Sequence, residues 1–168
     1  RVTLQHAQLM DEGLMCRARD LGASVNLFSN HIYYWGDAHA SLTVGPAQAA
    51  RMNAAATAQR LGLPFGIHSD VPVTPMAPLF TAWCAVNRLT SSGQVLGPQE
   101  RLSVPQALHA ITLGSAYTLG LEREIGSISV GKSADFAVLE DDPLEVPPER
   151  LKDVGVWGTV CHGRVSPA

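Results

Sequence analysis

The chain has 168 residues, of which 46% are hydrophobic and 16% charged, with 15 Gly and 11 Pro. That composition excludes a disordered or collagen-like polymer and suits a single globular domain. A net charge of −3 gives no electrostatic case for nucleic acid or an anionic membrane, and no apolar run reaches membrane-spanning length.

Residues 2–6 (VTLQH) read as a strand ending on a histidine. Asp11 then caps a helix with Leu14, Ala18 and Leu21 on one face, and Gly22 stops it. Residues 23–28 (ASVNLF) read as a second strand. The segment after it, NHIYYWGDAHASLTVG, reads as a long loop rich in aromatics and histidines. Pro46 opens an Ala-rich helix over 46–61, and Gly62 ends it. Residues 64–68 (PFGIH) read as a third strand, followed by the Pro-punctuated loop SDVPVTPMAP. The order strand, helix, strand, helix, strand predicts βαβ units and a parallel sheet.

The pattern then changes. Residues 77–89 read as a buried helix. Ser103 and Gln106 form a capping box for a helix over 104–113, and a shorter helix around 115–119 ends at Gly120. IGSISVGKSADFAVL reads as a hairpin turning near Gly131–Lys132, and VGVWGTVCHGRVS as another turning at His162–Gly163. The expected division is 1–123 as an α/β unit and 124–168 as a small β segment.

In a parallel sheet, ligand-facing residues sit just past the carboxyl ends of the strands. His6, the Ser29–His39 segment and His68–Pro75 all fall there. An imidazole and a carboxylate, His6 and Asp70, suit a hydrolytic metal. The residues alone also allow a hydrogen-bonded structural His and an Asp that caps a turn. Cys16, Cys84 and Cys161 are scattered and include no CxxC pair, which fits a reducing cytoplasm rather than a disulfide framework. The first residue is Arg rather than Met, so the chain is read as the later part of a longer protein.

Three segments carry a family resemblance. GIHSDVPVTP resembles the G-S-D-x-P-V segment of the YtcJ-like (amidohydrolase 3) branch of the amidohydrolase superfamily. LQHAQ resembles its E-H-A-Q segment, and GSISVGKSADFAVLEDDP its G-S-I-x-x-G-K-x-A-D-F-x-V-L segment. The order and spacing agree across nearly the whole chain. NLFSNHIYYWGDAH resembles the N-substituted formamide deformylases within that branch.

The resemblance implies a metal-dependent hydrolase with a TIM (β/α)8 barrel. This chain would supply barrel strands six to eight and then part of a small β-sandwich. It implies hydrolysis of a C–N bond in a small-molecule amide, with one or two divalent metals, zinc first among them. His6 matches the metal-ligand His at the end of strand six. Asp70 matches the strand-eight Asp that binds metal or the attacking water and carries its proton. The family's H-x-H and its strand-four and strand-five ligands are absent, and His68 stands where the family has Gly.

His31, Trp35 and His68 are expected to contact substrate, with a packed surface loop as the plainer reading for the first two. Cys84, Trp83, Trp157 and His109 are expected in packing, and Asp135 is expected to hold a turn. Two rivals stand beside the formamide reading. One is a deacylase of N-acyl amino acids, for which neither Arg51 nor Arg88 is an evident carboxylate anchor. The other is a non-catalytic half-barrel that assembles with a partner or itself through an open sheet edge, giving a homo-oligomer.

Overall fold

Three short apolar runs, each separated from the next by a helical stretch, set the first layer. The computed structural model describes residues 1–168. Strands β1 (Thr3–His6), β2 (Ser24–Leu27) and β3 (Phe65–Ile67) form a parallel sheet in the order β1-β2-β3. The register pairs His6 with Leu27 and Leu27 with Ile67, so the three carboxyl ends finish level. The predicted βαβ alternation is therefore present.

Between β1 and β2 runs α1 (Glu12–Asp20), whose Leu14 N–H donates to the Asp11 carboxylate at 2.8 Å. The buried face is Met15 and Ala18, whereas Leu14 and Leu21 are exposed. The expected face was offset because Leu21 lies at the cap, outside the helical turns. Fully burying a side chain such as Met15 contributes about 1.5–3 kcal/mol.

The predicted loop after β2 is instead a helix. α2 (Asn30–Ala38) continues through a π-helical turn over His39–Thr43. Its Ile32 and Gly36 are buried, and a Cβ on Gly36 would press on Thr90 and Leu96. Packing of that face holds a segment whose aromatic and β-branched residues are weak helix formers alone.

The predicted single helix over 46–61 is also broken. It forms α3 (Pro46–Ala49) and α4 (Ala55–Leu61), with Asn53 in the left-handed region at φ 48 between them. The cause is Arg88, which is 1% exposed. Its guanidinium donates to the carbonyls of Met52 (2.9 Å), Asn53 (3.2 Å) and Leu96 (2.6 Å). Carbonyls turned toward Arg88 cannot continue a helical ladder.

Further along are α5 (Pro78–Asn87), α6 (Val104–His109) and α7 (Ser115–Leu119). The Ser103–Gln106 capping box forms as predicted. A π-helical turn over Ala110–Gly114 joins α6 to α7. Here the backbone approaches β3 closely: a Cβ on Gly66 would stand 2.9 Å from the Ser115 Cα. Thr3 donates to the Thr118 carbonyl at 2.7 Å, so α7 also ties to β1. His109, expected in packing, is exposed.

The last strands, β4 (Phe136–Leu139), β5 (Val156–Cys161) and β6 (Arg164–Pro167), form an antiparallel sheet in the order β4-β5-β6. The second predicted hairpin forms, turning at His162–Gly163. The first does not. Its turn near Gly131 exists, but the incoming IGSISV segment has no strand partner, and Ile128 and Val130 are exposed. Trp157, expected in the core, is half exposed. Residues 148–153 reach back to α5. Trp83 donates through Nε1 to the Glu149 carbonyl at 2.8 Å, and Asn87 to the Pro148 carbonyl at 2.9 Å. No helix is long and apolar enough to cross a membrane, and all three cysteines are free thiols.

Candidate active site

The level ends of β1, β2 and β3 bring together His6, Phe28 and His68. His6 Nε2 lies 3.7 Å from Asp70 Oδ2, too far for a hydrogen bond between them. Their side chains remain 44% and 36% exposed, so both are reachable from solvent. Both residues occupy the left-handed region, His6 at φ 64 and Asp70 at φ 55. Non-glycine residues held there cost roughly 1–3 kcal/mol each and concentrate at functional sites.

Asp70 is held from behind. Thr74 donates to the Ser69 carbonyl and accepts from Asn30 Nδ2 at 2.8 Å. The Val73 N–H donates to the Asp70 carbonyl at 2.7 Å. The loop that carries Asp70 is thereby tied to the first turn of α2.

α2 in turn presents a ring array. His31, Trp35 and His39 recur every fourth residue, one side of a helix. The His31 ring lies 4.7 Å from Trp35 and 5.3 Å from His39, centroid to centroid. Phe28 joins this array to the strand ends. It lies 4.6 Å from His31, stacks on His68 at 5.1 Å, and meets His6 edge-on at 5.5 Å. Sequence reasoning read Phe28 only as the end of a strand; its position one residue past β2 was the available signal. It also missed Asn30 and Thr74, whose pairing depends on the helix it read as a loop.

Two ring nitrogens are buried without a hydrogen-bond partner, His31 Nδ1 and His68 Nε2. Burial, followed by the nearby His39 and His6 rings, pushes the His31 imidazole down to about 4. Burial, followed by His6, also lowers His68. Both rings are favoured in the neutral form, each able to offer or accept one hydrogen bond per free nitrogen. The structure thus brings His6, His31, Trp35, His68 and Asp70 into one neighbourhood. Arg88 is committed to backbone carbonyls, and Arg51 is exposed on the α3–α4 connection.

The model of the amidohydrolase family (Amidohydro_3) matches residues 1–167. The chain belongs to the amidohydrolase family. It is 28% identical over 160 residues to an N-substituted formamide deformylase of Arthrobacter pascens, covering 95% of this chain and 30% of that protein. It is 35% identical over 100 residues to YtcJ of Bacillus subtilis (strain 168), covering 58% of this chain and 19% of that protein. Among solved structures, a metal-dependent hydrolase of Pyrococcus horikoshii OT3 superposes with a TM-score of 0.73 at 24% identity. That match covers 87% of this chain and 30% of the other. An adenosine deaminase of Xanthomonas campestris with bound zinc superposes with a TM-score of 0.69 at 21% identity, covering 98% and 36%. These structures share the mixed α/β fold. The chain spans 30% of the length of the deformylase it matches.

Proposed function

We propose that this chain supplies part of the active site of a metal-dependent hydrolase of non-peptide C–N bonds, with an N-substituted formamide as substrate. The observation that carries the reading is the approach of His6 Nε2 and Asp70 Oδ2 across the ends of parallel strands. In this reading β1 to β3 are strands six to eight of a TIM barrel, and β4 to β6 are part of the accompanying β-sandwich. The remaining barrel strands bring the other ligands.

The donor set suits a divalent ion such as zinc. Two ligands each about 2.1 Å from a tetrahedral ion lie about 3.4 Å apart, close to the observed separation. His6 and Asp70 would hold the ion, and the partnerless His68 Nε2 lies in the adjoining ring cluster. When bound, a divalent metal lowers the pKa of water to about 7 and polarises a carbonyl oxygen.

The chain's own groups do the rest. The Asp70 carboxylate takes the proton of the attacking water. It then returns that proton to the departing nitrogen, since an amide anion is too basic to leave unprotonated. Neutral His31 meets the substrate carbonyl or its N–H through Nε2, since its Nδ1 is buried. Trp35 lies against the apolar N-substituent and excludes water from one side, with the buried Phe28 ring backing it. The similarity to the Arthrobacter pascens deformylase supports the choice of formamide over an N-acyl amino acid. The commitment of Arg88 to carbonyls, which leaves it unavailable to a substrate carboxylate, supports it too.

The test is turnover by the native polypeptide containing these residues, loaded with zinc. It is offered an N-alkyl formamide and, separately, an N-acetyl amino acid. The expected result is formate from the first and little product from the second. The Asp70→Asn variant should lose activity by about 100-fold or more, the lower end of the usual general acid–base contribution. Undiminished activity in Asp70→Asn would overturn its role, and turnover of the N-acetyl amino acid alone would overturn the substrate.

A further inference from the structure

A second cluster of ligand-type side chains lies on the antiparallel sheet, outside the site described above. Asp135 immediately precedes β4, Cys161 ends β5, and His162 opens the β5–β6 turn. One donor atom from each lies within 4.8 Å of the others. We propose that Asp135, Cys161 and His162 form a zinc-type metal site that clasps the start of β4 to the β5–β6 turn.

Three features carry this. The donors are a thiol sulfur, an imidazole nitrogen and a carboxylate oxygen, the set that selects a borderline ion such as zinc over calcium or magnesium. Three protein ligands also leave a fourth position for water or another ligand.

The scaffold is ordered before any ion arrives. Asp135 Oδ1 accepts the His162 N–H at 2.7 Å, and the Gly163 N–H donates to the Ala134 carbonyl at 3.1 Å. Ser133 Oγ lies 3.0 Å from His162 Nδ1 and fixes the ring, as outer-shell partners of metal-ligating histidines do.

The charges are also suitable. The Asp135 carboxylate is the anionic oxygen donor of the set. No ion pair occupies it. All three residues are exposed, so an ion reaches them directly, and Cys161 releases its thiol proton on binding.

Cobalt(II) tests the proposal, because a cobalt–thiolate bond adds charge-transfer absorption that His and carboxylate ligands do not give. Neither His6 nor Asp70 has a thiolate beside it among the proposed ligands, so the two sites are told apart. The reduced native polypeptide containing these residues should bind one equivalent of cobalt with that band, and zinc should displace it. The band should vanish in Cys161→Ser and persist in the His6→Ala/Asp70→Asn double variant. Asp135→Asn keeps the acceptor for the His162 N–H, and His162→Asn suits the left-handed turn (φ 48). Each should weaken cobalt binding by about tenfold or more while the circular dichroism spectrum stays unchanged.

As an independent readout, zinc should slow alkylation of Cys161 in the native polypeptide, followed by mass spectrometry, and leave Cys16 unaffected. Absence of the band, its survival in Cys161→Ser, or unprotected alkylation of Cys161 overturns the proposal.

Discussion

Asn30 Nδ2 donates to Thr74 Oγ1 at 2.8 Å, and both residues are buried. One residue begins the helix that carries His31 and Trp35, and the other closes the loop that carries Asp70. The Thr74 hydroxyl also donates to the Ser69 carbonyl, one residue before Asp70. Thr74→Val keeps the shape and removes both bonds, leaving the Asn30 amide and the Ser69 carbonyl without their partner. Unsatisfied buried polar groups cost about 1–3 kcal/mol each. The variant should melt several degrees lower, at about 2–4 °C per kcal/mol for a chain of this size. A melting temperature equal to that of the parent would show that this pair does not hold the two segments together.

Arg88 makes a second knot. Its guanidinium serves carbonyls on the α3–α4 connection and at Leu96, and burial lowers it to about 10 without discharging it at neutral pH. Lysine cannot reproduce that planar fork of donors. Arg88→Lys should therefore leave at least one carbonyl unpaired and destabilise the fold by about 1–3 kcal/mol. Arg88→Met should cost more, because every carbonyl in the set loses its donor. Urea unfolding of the two variants checks both the direction and the order. Lysine as stable as arginine would remove the argument that this side chain splits the expected helix.

The origin of both knots explains what the sequence could and could not show. The parallel strands were legible because short apolar runs alternate with capped helices. Once they are parallel and level, His6 and Asp70 meet as a consequence. The helix at Asn30–Ala38 was not legible, since His, Ile, Tyr and Trp favour it weakly and its stability comes from Ile32 and Gly36 packing against distant residues. The break at Asn53 depends on Arg88, which no local pattern near Asn53 announces. IGSISV misled in the opposite sense. It alternates like a strand, but its expected partner β4 pairs with β5 instead, and the outer edge of β4 takes no strand from IGSISV.

His31 should make stability depend on pH. In the unfolded chain its imidazole titrates near 6.5, and in the folded chain near 4. Burial is the main cause, His39 and His6 add to it, and Asp70 opposes it more weakly. Between those two values the unfolded chain binds more protons than the folded one. Stability therefore rises with pH across that window and is lost as pH falls through it. His31→Phe keeps an aromatic ring beside Phe28 and Trp35 and cannot be protonated. Between pH 6.5 and pH 4 the melting temperature of the parent should fall further than that of the variant. Equal slopes would show that the folded ring takes up its proton as readily as the unfolded one.

Asp70 sits in the left-handed region at φ 55, a conformation that Asn and Asp tolerate better than other side chains. This separates its backbone role from its chemical one. Asp70→Asn keeps the backbone preference and removes the charge, so its unfolding free energy should stay within about 0.5 kcal/mol of the parent. Asp70→Val places a β-branched residue where the left-handed conformation costs at least about 1–2 kcal/mol, so it should be less stable by that amount. Metal binding should fall in both variants, because both lose the anionic ligand proposed beside His6. Urea unfolding paired with measured zinc content reads the two effects separately. If Asp70→Asn lost stability as Asp70→Val does, the carboxylate would be holding the loop itself. If both variants kept as much zinc as the parent, the residue would not be a ligand.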